Sequence, residues 1–122
     1  MIDDDDIVYR RINPHWVKSF EPFILSTAAF QNMEGLNMSG HLGRFLDEHE
    51  LTPESLLEGH DGYGLVWLSV KELRDLGQDV VAYIDDEDDP AHVHISGNKS
   101  KSTKKSMANA FSENVLVLPV KK

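Results

Sequence analysis

His92 and His94 are the side chains whose type and spacing most invite chemistry. On a strand, residues i and i+2 project from one face, so these imidazoles stand side by side, within reach of one metal ion or one phosphate. The acidic run Asp85 to Asp89 precedes them, and a lysine-rich stretch from Lys99 follows. One chemistry is acid–base catalysis by His92 or His94, with Lys99 steadying a phosphoryl oxygen. Another is a divalent metal held by His92, His94 and a carboxylate of Asp88 or Asp89. The plainest reading makes these residues the polar outer face of a sheet, where alternating polar side chains belong.

Gly97-Asn98-Lys99-Ser100 has the residue types of a phosphate loop but not its pattern. Asn98 separates the glycine from the lysine, and His92 stands where the loop's first glycine belongs. A phosphate contact at the start of the following helix is open to a nucleotide or RNA through residues 97–105, with Lys101, Lys104 and Lys105 alongside. Arg10 and Arg11 lie in an apolar strand, so one of them faces inward or across an interface; an inward arginine wants a carboxylate or a ligand oxygen, and an internal acid is the plainer partner. Ser26 and Thr27 are placed to donate to a ligand, although hydroxyls more commonly bond nearby backbone. Arg74 reads as a surface ion-pair residue with binding potential. His15, His41, His49 and His60 are isolated in sequence and read as surface or capping residues.

With no cysteine, the chain has no disulfide, zinc–cysteine site or thiol nucleophile. The longest apolar runs are Leu65 to Leu68 and Val115 to Leu118, far short of the roughly 20 residues that span a bilayer. The acidic start, Met1 to Asp6, is the opposite of a basic secretion-signal start, and the expectation is a cytoplasmic protein without a membrane partner. There are 12 Lys+Arg against 21 Asp+Glu, a net charge of -9, which disfavours non-specific binding to DNA. That total hides an imbalance: residues 1–95 carry -14 and residues 96–122 carry +5. Such asymmetry marks either a binding surface or a solvated acidic face beside a basic helix.

These residues need elements to position them. Ile7 to Ile12 reads as a strand, ended by Asn13-Pro14. Residues 15–37 lack a clean period and read as extended with turns. Ser39 is expected to cap a helix running through His49, with Leu42, Phe45 and Leu46 inward. Thr52-Pro53 starts a short helix that stops at Gly59. Leu65 to Leu68 reads as a buried strand. Ser69-Val70-Lys71-Glu72 is a capping box opening a helix that ends at Gly77. Strands at 80–84 and 91–95, joined by a six-residue loop, form an antiparallel hairpin with Ala91, Val93 and Ile95 inward. A helix over about 102–112 buries Met107, Ala108 and Phe111, and an edge strand with Pro119 closes the chain. The expected fold is α+β, with mixed α/β as the alternative. It has a single sheet of four to five mostly antiparallel strands and three to four short helices, within one domain of residues 1–122 with a solvated acidic tail at 1–6.

Several short motifs also carry a resemblance. They are Arg10-Arg11-Ile12-Asn13-Pro14, Ser26-Thr27-Ala28-Ala29-Phe30, Met38-Ser39, Gly62 to Leu65, Arg74 to Gly77, Pro90-Ala91-His92, and Gly97 with Lys99 before a basic helix. In these the chain resembles a group of small, functionally uncharacterised bacterial proteins of similar length. The resemblance implies a stand-alone bacterial domain and draws interest to Arg10, Ser26, Arg74, His92 and Lys99. It brings no activity with it, and His41 stands where that group usually has an apolar or aromatic residue.

Three functions follow as expectations. The first is a protein-interaction or regulatory module, such as an accessory or inhibitor-type subunit, whose charge steers association. The second is a small enzyme acting on a phosphate-containing substrate, which requires Arg10, Ser26, His92 and Lys99 to converge. The third is metal binding without catalysis, at His92, His94 and Asp89. No other cofactor is expected, and the sequence leaves self-association open.

Overall fold

The computed structural model describes residues 2–32, 35–83 and 89–121. Its main element is a six-stranded antiparallel sheet. In chain order its strands are β1 (Ile7–Ile12), β4 (Asn37–Leu42), β5 (Gly64–Ser69), β6 (Asp79–Ala82), β7 (His92–Ser96) and β8 (Val115–Val117). They lie in the order β6-β7-β4-β1-β5-β8. A separate hairpin pairs β2 (Val17–Phe20) with β3 (Phe23–Leu25). Three α-helices accompany the sheet: α1 (Gly43–Glu48), α2 (Val70–Asp75) and α3 (Lys101–Ser112). The α+β class is therefore as expected, but the main sheet has six strands rather than four to five.

The extra strand is β4, where the sequence suggests the start of a helix at Ser39. The run Asn37 to Leu42 in fact alternates: Met38, Gly40 and Leu42 face the core, and Asn37, Ser39 and His41 face the other way. Gly40 fits the core side because a Cβ there would lie 3.0 Å from Val8 and 3.2 Å from Ile95. Leu42 then caps α1 with no side-chain hydrogen bond, so Ser39 is a strand residue and not a cap. The serine half of the predicted capping box is present: Ser69 Oγ accepts from Glu72 N–H at 3.1 Å, and the Glu72 carboxylate accepts from the same hydroxyl at 3.1 Å. The expected antiparallel pairing forms between Asp79–Ala82 and His92–Ser96, with Val80 opposite Ile95 and Val81 opposite His94, while Ile84 of the expected strand lies outside the described residues.

One sheet face packs against α2 and α3. Val8, Ile12, Met38, Leu42, Val66, Leu68, Val93 and Ile95 meet Val70, Leu73, Met107 and Phe111 in one buried cluster. A 3-10 turn, Thr27–Phe30, brings Phe30 onto Phe111 with ring centroids 5.3 Å apart and planes 18° from parallel. Such a pair adds about 0.5–1.5 kcal/mol beyond the burial of its area. On the opposite face, Leu46 of α1 and Leu56 of a second 3-10 turn cover Leu65. That face also carries Tyr9, Arg11, Ser39, His41, Trp67, His92 and His94.

The acidic start is anchored rather than freely solvated. Asp6 accepts two hydrogen bonds from Arg44, at 3.0 and 3.1 Å, and Asp4 accepts one from Arg74 at 2.6 Å. The carbonyls of Asp6 and Asp4 accept from Val70 and Lys71 N–H, so the segment ties down the first turn of α2. The Arg44 hydrogen bond, the largest influence, holds the Asp6 carboxyl below its ordinary range.

Gly64 sits where β5 meets the chain end. A Cβ there would lie 2.5 Å from Pro119 Cδ, 2.6 Å from Pro119 N and 2.7 Å from Val117 O. Two of these are backbone atoms, so Gly64→Ala must displace the β5–β8 edge. We expect it to cost about 1–3 kcal/mol. Urea denaturation checks this, and a midpoint equal to that of the unmodified chain contradicts it.

Candidate functional site

The site is built where β1 and β4 stop pairing as strands. Their register holds at Val8↔Leu42 and Tyr9↔His41. Beyond it, the Arg10 side chain bridges the two. Nη1 donates to Ser39 O at 2.6 Å, while Nε and Nη2 donate to Ala29 O at 3.1 and 2.6 Å. Arg10 is only 8% exposed, and its guanidinium lies over Trp16 at 5.7 Å and Phe30 at 5.9 Å. It forms no ion pair among the described residues. Burial, and then the nearby charge of Arg11, lower its pKa to about 10. The sequence predicts an inward arginine correctly. Its partners, however, are neutral carbonyls and not an internal acid.

On the outer face, Ser39 Oγ and His92 Nε2 share a hydrogen bond of 2.9 Å. Next to them, His41 Nε2 donates to Asp89 Oδ2 at 2.6 Å. His41 is 2% exposed, and its Nδ1 has no hydrogen-bond partner among the described residues. The His41 and His92 rings stack at 6.0 Å, and Tyr83 and His94 pack on His92 at 4.9 and 5.2 Å. Partial burial pushes the Asp89 carboxyl up, but the hydrogen bond and charge of His41 and the charge of His92 outweigh it, and its pKa is lowered.

Ser39 and His41 of this cluster line a cleft of about 210 Å³, together with Arg10, Arg11, Trp16, His60 and Tyr63. Arg11 is held by its bond from Nη1 to Leu56 O at 3.1 Å. Tyr63 accepts from Asn13 Nδ2 at 3.2 Å and packs on His60 at 5.1 Å. Desolvation, with the charges of Arg11 and His41, lowers the His60 pKa, which favours the neutral ring. The cleft thus combines two arginines, the Ser39 and Tyr63 hydroxyls, two imidazoles and an indole, and among the described residues no carboxylate lines it.

Of the residues expected to converge, Arg10 and His92 meet at Ser39. Lys99 and Ser26 do not. Lys99 Nζ donates to the carbonyls of Leu36, Ile95 and Gly97 at 3.2, 3.1 and 3.1 Å, which uses all three of its N–H groups. Burial, and then the charge of Arg10, lower its pKa to about 8. The expected role of Lys99 at a phosphoryl oxygen is therefore replaced by that of a tie between the ends of β4 and β7.

Ser26 Oγ accepts from Ala28 N–H at 3.1 Å and caps the 3-10 turn. It lines another groove with Thr27, Lys18 and Lys105. Lys101 and Lys104 lie on α3 with Lys105, and none of the three forms an ion pair among the described residues. Arg74 pairs with Asp4 and Asp79, as a surface ion-pair residue should. Among the described residues, no group of three or more His, Asp or Glu is arranged to hold a metal ion. Asp89 turns to His41 instead of joining His92 and His94, and Asp88 lies outside the described residues.

Sequence reasoning missed Ser39, His41, His60, Trp16 and Tyr63. Ser39 and His41 were hidden by the helix reading of β4, although their spacing repeats that of His92 and His94. No protein family, curated protein or solved structure matches the chain. The reading of the cleft therefore rests on its own geometry. Among the described residues no helix is long and apolar enough to cross a membrane.

The Asp89–His41 pair generates a pH prediction. The native carboxyl pKa lies below its ordinary value of 3.8, so its stabilisation is present above that value and is lost as pH falls through the native one. Asp89→Asn should cost about 1–2 kcal/mol at neutral pH. It should also flatten the loss of stability between about pH 5 and about pH 3. Denaturation midpoints across that range test this, and an unchanged acid limb refutes it.

Proposed function

We propose that this chain is a binding module and that its ligand is a small phosphate-bearing anion seated in the Arg10–Arg11 cleft. One observation carries the reading: a buried guanidinium, with a second guanidinium nearby, has no ion-pair partner among the described residues and faces a cleft that no carboxylate of those residues lines. Burying a cation without a counter-charge is costly, and the repulsion of Arg11 adds to that cost. Three of the five N–H groups of Arg10 are bonded to carbonyls, which supply dipoles but no negative charge. An anion between the arginines offsets both penalties, and His60 and Ser39 offer further polar contacts. The phosphate class expected from the sequence is retained, but it is assigned to this cleft and not to residues 97–105.

A second reading, a regulatory module docking an acidic protein surface, draws on a different observation. Lys101, Lys104 and Lys105 have no acidic partner among the described residues, in a chain of net charge -9. If this helix is the functional surface, reversing all three charges abolishes association and leaves anion binding at the cleft untouched.

Trp16 lines the cleft, so its fluorescence reports occupancy. Titration with inorganic phosphate and pyrophosphate should give a saturable change and an upward shift in melting temperature, whereas chloride at equal ionic strength should not. A hydrogen bond to a charged group is worth about 1.5–3 kcal/mol, so Arg11→Ala should weaken binding by about tenfold or more. A flat titration in the unmodified chain refutes the proposal.

A further inference from the structure

We infer that Ser39 is an activated nucleophile with His92 as its base, and that the chain hydrolyses a phosphate monoester bound in the cleft. The substrate class rests on the anion reading above; the activation of Ser39 rests on separate geometry.

A serine hydroxyl is a weak nucleophile until a base within hydrogen-bond reach takes its proton. Ser39 Oγ and His92 Nε2 are 2.9 Å apart. With His92 as the Nδ1–H tautomer, the hydroxyl donates to Nε2 and the proton-transfer path is already set. The imidazole is fixed in orientation by rings on three sides, those of His41, Tyr83 and His94. His41 is fixed in turn by Asp89, so its ring offers a rigid wall to His92. Ser39 opens on the cleft beside Arg10 and Arg11, where the charge of a phosphoryl group would be held.

The chemistry balances with water as the only co-reactant. Ser39 Oγ forms a bond to phosphorus as the bond from phosphorus to the alcohol oxygen breaks. The serine proton passes to His92 Nε2 and from there to the departing alkoxide. His92 then takes a proton from water, the resulting hydroxide attacks phosphorus, and the Oγ–P bond breaks. Protonation of Oγ by His92 restores the serine and releases inorganic phosphate. His94 and Lys99 take no part.

A fluorophosphonate probe tests this on the intact chain. Ser39 Oγ would bond to phosphorus, fluoride would leave with the electrons of the P–F bond, and the proton would go to His92. Mass spectrometry should find one label per chain, mapped to Ser39, with no variant needed for that assignment. Loss of a general base typically costs 10²- to 10⁴-fold, so His92→Gln should slow labelling by about 100-fold or more, while the exposed Ser102→Ala should label normally. Pyrophosphate should protect Ser39. Absence of label, label spread over other serines, or unchanged labelling in His92→Gln overturns the activated serine, even if phosphate still quenches Trp16. Rapid labelling of Ser39 with neither protection nor phosphate binding overturns the phosphate-ester assignment together with the cleft reading.

Discussion

The guanidinium of Arg10 sits where the β1–β4 ladder gives way, and much of the candidate site is arranged around it. Through Ser39 O it holds β4 against β1, and through Ala29 O it fixes the turn that places Phe30 on Phe111. The charge cannot leave, because proton loss from guanidinium needs a pH of about 10 even in this buried setting. Carbonyl dipoles and the faces of Trp16 and Phe30 stabilise it only in part. One residue therefore links the core packing on one sheet face to the polar cleft on the other.

The outer face depends on antiparallel register. β4 and β7 place His41 opposite His92 and Ser39 opposite His94. Diagonal neighbours across such a pair lie within reach of a long side chain, and this is how Ser39 meets His92. A shift of β7 by one residue would send His92 and His94 into the core and bring Val93 and Ile95 outward, and the same shift of β4 would do so for Ser39 and His41 against Met38 and Gly40. Burial of Met38, Gly40, Val93 and Ile95 on the α3 side therefore fixes the chemistry on the other.

Some of this was legible from residue order alone. The alternation of Ala91 to Ile95, the capping box at Ser69, and the apolar spacing of Met107, Ala108 and Phe111 are local signals, and each element formed as expected. The β2–β3 hairpin was not legible, because its strands have four and three residues and no period develops in so short a span. Part of its anchoring is tertiary: Leu25 N–H donates to Ser112 Oγ on α3 at 2.9 Å. β4 was misread because a serine before a glycine is as good a helix start as a strand residue. What decides is the tight fit of Gly40 between Val8 and Ile95, residues 32 and 55 positions away in the chain.

The sequence by itself determined the α+β class, the inward arginine in β1 and the shared face of His92 and His94. Each follows from backbone periodicity and from the charge and size of single side chains. The tertiary structure decided which polar groups meet. It turned Lys99 onto three carbonyls, Ser26 onto its own turn and Asp89 onto His41, because buried or half-buried donors and acceptors take the nearest partner the fold supplies. It also assembled Ser39, His41, His60 and Trp16 around two arginines. These residues are spread from 10 to 60 in the chain, and only strand pairing and the packing of connecting turns bring them together.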